Sequence, residues 1–143
     1  MKTTLTWQGK MAFEATNREL KSSFDTESAP TPKEALLNAM CACSAMDIVT
    51  IAEKMRLTLK DVRLTAEATK TNTIPSYFSA VHINYFIDGD VPAEKIIQAV
   101  ALSMTKYCGV SYMVSKVCDI TYDVTLNGNL IHKDQANFSL EVI

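Results

Sequence analysis

Hydrophobic and polar positions alternate along this chain with two periods, and the switches between them mark its elements. Leu5 and Trp7 share one strand phase and Met11, Phe13 and Ala15 another, with Gln8-Gly9-Lys10 as the turn between them. A second turn at Thr16-Asn17-Arg18-Glu19 leads to a short strand around Phe24, so the chain opens with a β-meander. Later, three segments alternate with period 2. Their apolar positions are Val62, Leu64, Ala66 and Ala68, then Val81, Ile83, Tyr85 and Ile87, then Cys118, Ile120, Tyr122, Val124 and Leu126. Each predicts a strand with one apolar face.

Between the strands the period becomes helical. Thr31-Pro32-Lys33-Glu34 is a capping box with Thr at the N-cap, Pro at the first helical position and Glu at the third. The helix it opens runs over 33–55 and is apolar on nearly every side, from Leu36 and Leu37 to Ile51 and Ala52. Such a helix is buried from several directions. A second helix begins at Pro92, with Ala93, Ile96, Ile97, Val100, Met104 and Tyr107 on one face. Cys108-Gly109 interrupts it, and Val110 to Lys116 form further turns. From Asn129 the chain is polar and mixed and reads as an extension.

This order predicts an α+β fold: a mainly antiparallel six-stranded sheet with a long central buried helix and a second helix. One sheet covers only one side of the 33–55 helix. A second subunit is the simplest cover for the other, so an intertwined homodimer is expected.

Composition narrows the function. The 143 residues fit one domain, and 48% hydrophobic with 21% charged residues is ordinary globular composition. A net charge of −2 and a pI near 5.6 argue against a nucleic-acid partner. The first residues have no apolar core of signal-peptide length. The most apolar stretch, Ala35 to Ala52, contains Asn38, Ser44, Asp47 and Thr50. An intramembrane Asp costs at least about 2.5 kcal/mol, so a buried helix fits better than a membrane span. A soluble, cytoplasmic protein without a membrane partner is the expectation, and its cysteines are expected to be free thiols, metal ligands or redox groups more than a structural disulfide framework.

There are four cysteines. Cys118 shares the apolar phase of its strand and reads as a core thiol. Cys41 and Cys43 look like a CxC pair, but residues two apart on a helix point about 200° away from each other, so they cannot share a ligand. Cys43, Asp47 and Thr50 lie along one stripe. They form either a functional site or a structural arrangement, with Asp47 paired to a basic side chain and Thr50 bonded into its own helix. Cys108 lies at a helix break two residues after Lys106, which suits a reactive thiol or a buried cysteine at a bend. The histidines, His82 and His132, form no metal-binding spacing, and neither a metal nor a tightly bound cofactor is expected.

Leu36 to Val49, LLNAMCACSAMDIV, followed by Thr105 to Ser111, TKYCGVS, resembles the OsmC/Ohr family of thiol peroxidases and is most similar to its YhfA-like branch. The meander, the proline before the long helix and the strand order match over about residues 1–127, giving a domain over 1–128 and an extension over 129–143. The resemblance implies a thiol-dependent organic hydroperoxide reductase of oxidative or osmotic stress defence. In it Cys43 is the peroxidatic cysteine and Cys108 the resolving one, at a dimer interface. It also implies an organic hydroperoxide substrate and a dithiol reductant, in the family a lipoylated protein. The family's activating Glu, ten residues before the first Cys, is Lys33 here, and Glu34 is one residue away. Arg18 lies in the region of the family's partner Arg, and Lys33 is a substitute cation. The residue after the second Cys, usually Pro, is Gly109, while Ser111 matches. The alternative reading is a non-enzymatic or redox-sensing member that binds a small apolar ligand at the dimer interface.

Overall fold

The capping box forms as its spacing demands. In the computed structural model, which describes residues 1–143, the Thr31 N–H donates to Glu34 Oε2 at 2.9 Å and the Glu34 N–H to Thr31 Oγ1 at 3.4 Å. Helix α1 starts there and spans Pro32–Lys54. Before it come β1 (Thr4–Gly9), β2 (Ala12–Asn17) and β3 (Leu20–Phe24). After it come β4 (Asp61–Lys70), β5 (Phe78–Asp88), α2 (Ala93–Leu102), a π-helical turn (Ser103–Tyr107), α3 (Gly109–Ser115), β6 (Asp119–Leu126) and β7 (Asn129–Gln135). The order predicted from the sequence is therefore present, with one strand more.

The chain divides into two compact units, Met1–Asn38 and Ala39–Ile143. In the first, β1, β2 and β3 pair antiparallel in chain order. The β1–β2 turn needs a positive φ at Gly9 (101°), where the absence of a Cβ makes it available. Leu5, Trp7, Met11 and Leu20 of this unit are exposed.

In the second unit the sheet order is β4-β5-β6-β7. The expected single six-stranded sheet is thus two sheets of three and four strands. Pairing is antiparallel except between β5 and β6, which run parallel. Two helices and the π-helical turn connect that parallel pair, because a parallel return needs a long crossover. Its register sets Val81, Ile83, Tyr85 and Ile87 opposite Ile120, Tyr122, Val124 and Leu126. All eight are buried and make up most of the core of this unit, with Ile96, Val100 and Met104.

Two further expectations change. Residues from Asn129 on include a strand, β7, held to β6 through an Asn127-Gly128 turn with φ of 50° and 81°. Beyond it, the Asn137 and Ser139 N–H groups donate to the Met104 and Thr105 carbonyls of the π-helical turn, and Phe138 packs edge-on against Tyr112. Helix α1, expected to be buried all round, is buried at Met40, Ser44, Ile48, Ile51 and Ala52 only. Met46 is 70% exposed, and Leu36 and Val49 are exposed as well. A single chain has too few elements to cover every side of it. By length and composition α1 could cross a membrane, but Ser44 on its buried side bonds to Tyr85 of β5, as a core helix would.

Candidate active site

The π-helical turn builds the site. The Cys108 N–H donates to the Ser103 carbonyl five residues back, at 2.9 Å. In an α-helix, side chains five residues apart diverge by about 140°. The wider π turn lets Ser103 and Cys108 both address α1. On α1, Cys43 and Asp47 are one turn apart and project together. The result is one cluster: Cys43 Sγ, Cys108 Sγ and a carboxylate oxygen of Asp47 all lie within 4.8 Å of one another. No disulfide is formed, and all four cysteines are free.

A chain of hydroxyls supports the cluster from behind. Tyr85 Oη bonds to Ser44 Oγ at 2.7 Å, Ser44 to Ser103 Oγ at 2.8 Å, and the Ser103 hydroxyl donates to Asp47 Oδ2 at 2.9 Å. Both serines and the tyrosine are fully buried. Burial drives the Tyr85 phenol far above its ordinary value, so it stays a neutral donor. Burial also raises the Asp47 carboxyl, and the Ser103 hydrogen bond offsets part of that rise.

Cys108 has its own partners. Its thiol donates to Ser111 Oγ at 3.1 Å, and the Ser111 N–H points at its sulfur at 3.4 Å. Burial pushes this thiol up to about 11; Ser111 pulls it down, and the Cys43 thiol beside it pushes it further up. Cys108 is fully buried and Cys43 half-buried, so Cys43 is the more open sulfur. Next to Asp47 lies a cleft of about 320 Å³ lined by Met46, Ile51, Met55, Leu102 and Tyr107, with Thr50 and Lys54 at its polar side.

The structure brings together Cys43, Asp47 and Cys108 of the residues singled out in the sequence. Asp47 accepts from Ser103 instead of pairing with a basic side chain, while Thr50 does bond back to the Met46 carbonyl at 2.8 Å. Arg18, Lys33 and Glu34 belong to the first unit. Arg18 is exposed in the β2–β3 turn with φ 59°, Lys33 is exposed on the first turn of α1, and the Glu34 carboxylate is engaged by Thr31. Lys106 pairs with Glu141 at 3.1 Å. Cys41 is half-buried and Cys118 buried; burial raises both thiols. Sequence reasoning missed Ser44, Ser103 and Tyr85. A signal for the two serines existed, since each continues the buried stripe of its helix.

A model of the OsmC-like protein family matches residues 25–123, which contain the whole cluster. This chain belongs to the OsmC-like family. Protein YhfA of Escherichia coli is 32% identical over 97 residues, which is 67% of this chain and 72% of that protein. Among solved structures, a hypothetical protein from Aquifex aeolicus aligns with a TM-score of 0.79 at 26% identity, over 88% of this chain and 96% of that one. An organic hydroperoxide resistance protein OsmC from Legionella pneumophila aligns with a TM-score of 0.68 at 21% identity, over 87% and 97%, and so shares the fold. β7 and the residues after it lie beyond the part of this OsmC-like chain that the family model matches.

Proposed function

We propose that the protein is a thiol-dependent organic hydroperoxide reductase with Cys43 as peroxidatic and Cys108 as resolving cysteine. The observation that carries this reading is the approach of the two sulfurs to within 4.8 Å, on separate elements of one unit. A disulfide between them requires Cα atoms about 4.4–6.8 Å apart and side-chain rotation that brings the sulfurs to about 2.05 Å. The Cys43 thiolate attacks one peroxide oxygen, the O–O bond breaks, and an alcohol leaves after taking up a proton, with Cys43 now a sulfenic acid. The Cys108 sulfur then displaces the sulfenic oxygen as water, forming the Cys43–Cys108 disulfide. A dithiol reductant, such as a lipoyl group, reopens it by two exchanges and becomes a disulfide itself. The apolar cleft beside Asp47 suits an alkyl or aryl hydroperoxide better than hydrogen peroxide.

A soluble, cytoplasmic homodimer is part of the proposal. The exposed apolar side chains of α1, and Leu5, Trp7, Met11 and Leu20 in the first unit, form surface that a second copy would cover. Light scattering is expected to give twice the chain mass.

A second reading, a redox sensor that binds an apolar ligand without turnover, is favoured by the strongly raised Cys108 thiol, a slow nucleophile at neutral pH. One experiment separates the two. Reduced protein is treated with cumene hydroperoxide and dihydrolipoamide, peroxide loss is followed, and non-reducing peptide maps are recorded. Turnover with a Cys43–Cys108 disulfide, abolished in Cys43→Ser, supports the reductase. A disulfide that forms once and is not turned over supports the sensor, and no disulfide with no peroxide loss refutes the reductase and favours a non-enzymatic member that binds an apolar ligand.

A further inference from the structure

Two thiols and a carboxylate converge with no positive charge among them. Asp47 takes part in no ion pair, and Lys106, the basic residue nearest Cys108 in the chain, is held by Glu141. No histidine joins the cluster. Lys54 lines the cleft beside Asp47 but forms no ion pair with it, and the donors of the cluster define which cation they would hold.

Sulfur donors select soft or borderline cations, and a carboxylate completes such sets in zinc sites. A tetrahedral ion with metal–sulfur bonds near 2.3 Å holds its two sulfurs about 3.8 Å apart and a carboxylate oxygen about 3.6 Å from each. The three ligand atoms already lie within 4.8 Å of one another, so contraction by at most about 1.2 Å forms three corners.

The surroundings also match a metal site. Ligating carboxylates and thiolates are normally held by outer hydrogen bonds. Ser103 donates to Asp47 Oδ2, leaving Oδ1 without a hydrogen-bond partner, and the Ser111 N–H points at Cys108 Sγ. Ser103 is itself fixed through Ser44 to Tyr85. The ligands come from α1 and from the residue after the π-helical turn, both supported by a packed core. Cys43, the half-buried ligand, is where an ion enters.

We propose that the reduced protein binds one thiophilic divalent cation of the zinc class through Cys43 Sγ, Cys108 Sγ and an Asp47 carboxylate oxygen, with a water in the fourth position. Binding displaces a proton from each thiol. Oxidation of the two sulfurs to a disulfide removes two of the three donors and releases the ion. The site and the disulfide are thus alternative states of the same cysteines. This metal site does not depend on the reductase reading, because it needs only the reduced thiols.

The test titrates the reduced full-length protein with Co²⁺ and, separately, Zn²⁺ under anaerobic conditions. Co²⁺ is expected to give a thiolate charge-transfer band that saturates at one ion per chain and is bleached by Zn²⁺. Cys43→Ser and Cys108→Ser are expected to abolish the band. Ser103→Ala is expected to weaken binding about tenfold or more, as loss of an outer hydrogen bond does. A Cys41→Ser/Cys118→Ser variant should bind like the parent. Diamide, which oxidises dithiols to disulfides without any peroxide, should release the ion, so this arm stays informative whether or not the protein reduces peroxides. Saturating Zn²⁺ should also slow iodoacetamide labelling of Cys43 in the unmutated protein by about tenfold or more, a readout free of folding effects in variants. No charge-transfer band, a band that survives in both cysteine variants, or Cys43 labelling indifferent to Zn²⁺ would each overturn the proposal.

Discussion

Replacing Ser44 by Ala tests whether the hydroxyl chain is a stabilising unit. Ser44 is fully buried and links Tyr85 Oη at 2.7 Å to Ser103 Oγ at 2.8 Å. Ser103 keeps Asp47 as a partner, but the buried Tyr85 hydroxyl is left with none. A buried polar group without a partner costs about 1–3 kcal/mol, and the lost bond to Ser103 adds to it, so a loss of about 2–3 kcal/mol is expected. Unfolding entropy is about 2.1 cal/mol/K per residue, or about 0.3 kcal/mol/K for 143 residues. Tm should therefore fall by about 7–10 °C. Adding Tyr85→Phe removes the orphaned hydroxyl and should restore about 1 kcal/mol relative to Ser44→Ala alone, a non-additivity that only a direct pair produces. Thermal and urea unfolding of the reduced protein, followed by circular dichroism, measure Ser44→Ala, Tyr85→Phe and the double variant. A Ser44→Ala protein melting within about 2 °C of the parent, or a strictly additive double variant, would refute this account of the network.

Further outcomes follow from the same geometry. Burial raises the Asp47 carboxyl in the folded state, so its favourable contribution is complete only below the ordinary carboxylate value and is lost as pH rises through the folded value. Asp47→Asn should then raise Tm at pH 7 and lose that advantage as pH falls below about 4, read from melts across a pH series. Because Cys108 is buried with its thiol pushed up to about 11, iodoacetamide at pH 8 should label Cys43 well before Cys108, as resolved by peptide mass spectrometry. Similar rates for the two would contradict the burial described. Ending the chain at Gln135 removes the donors to the Met104 and Thr105 carbonyls and the Phe138–Tyr112 contact. Amide exchange at Cys108 should speed up measurably, while exchange in β5 should not change.

Local chemistry was legible in the sequence and long-range pairing was not. The Thr31/Glu34 box lies within four residues, and the strand phases of β4, β5 and β6 follow from alternation alone. Which strands pair does not, and the parallel β5–β6 pairing that joins the two halves of the four-stranded sheet leaves no mark in either strand. Strand β7 escaped because it is an edge strand carrying Lys133, Asp134 and other polar side chains, held by backbone bonds without an apolar face. Its one signal was the hairpin pair Asn127-Gly128. For the site, helix phase excluded a joint Cys41–Cys43 ligand pair and placed Asp47 beside Cys43. Joining Cys108 to them required the family resemblance, because 65 residues and a helical irregularity separate the two thiols. The apolar positions Ile96, Val100, Met104 and Tyr107 read as one continuous helix and concealed that irregularity.

The π-helical turn also bears on how this cysteine pair can be gained or lost over evolution. Such a turn is an α-helix with one residue too many. With the five-residue spacing kept and the turn regularised to an α-helix, the thiol would stand about 140° from Ser103 and face away from α1. Deleting one residue between Ser103 and Cys108 leaves a spacing of four, about 40° apart in an α-helix, and keeps the thiol on the α1 side. A relative can therefore hold the same pair of sulfurs with or without the π turn, provided that the spacing changes with it. Gap placement before the second cysteine, read together with helix type, is the trait to compare when sorting relatives into those that hold two sulfurs together and those that do not.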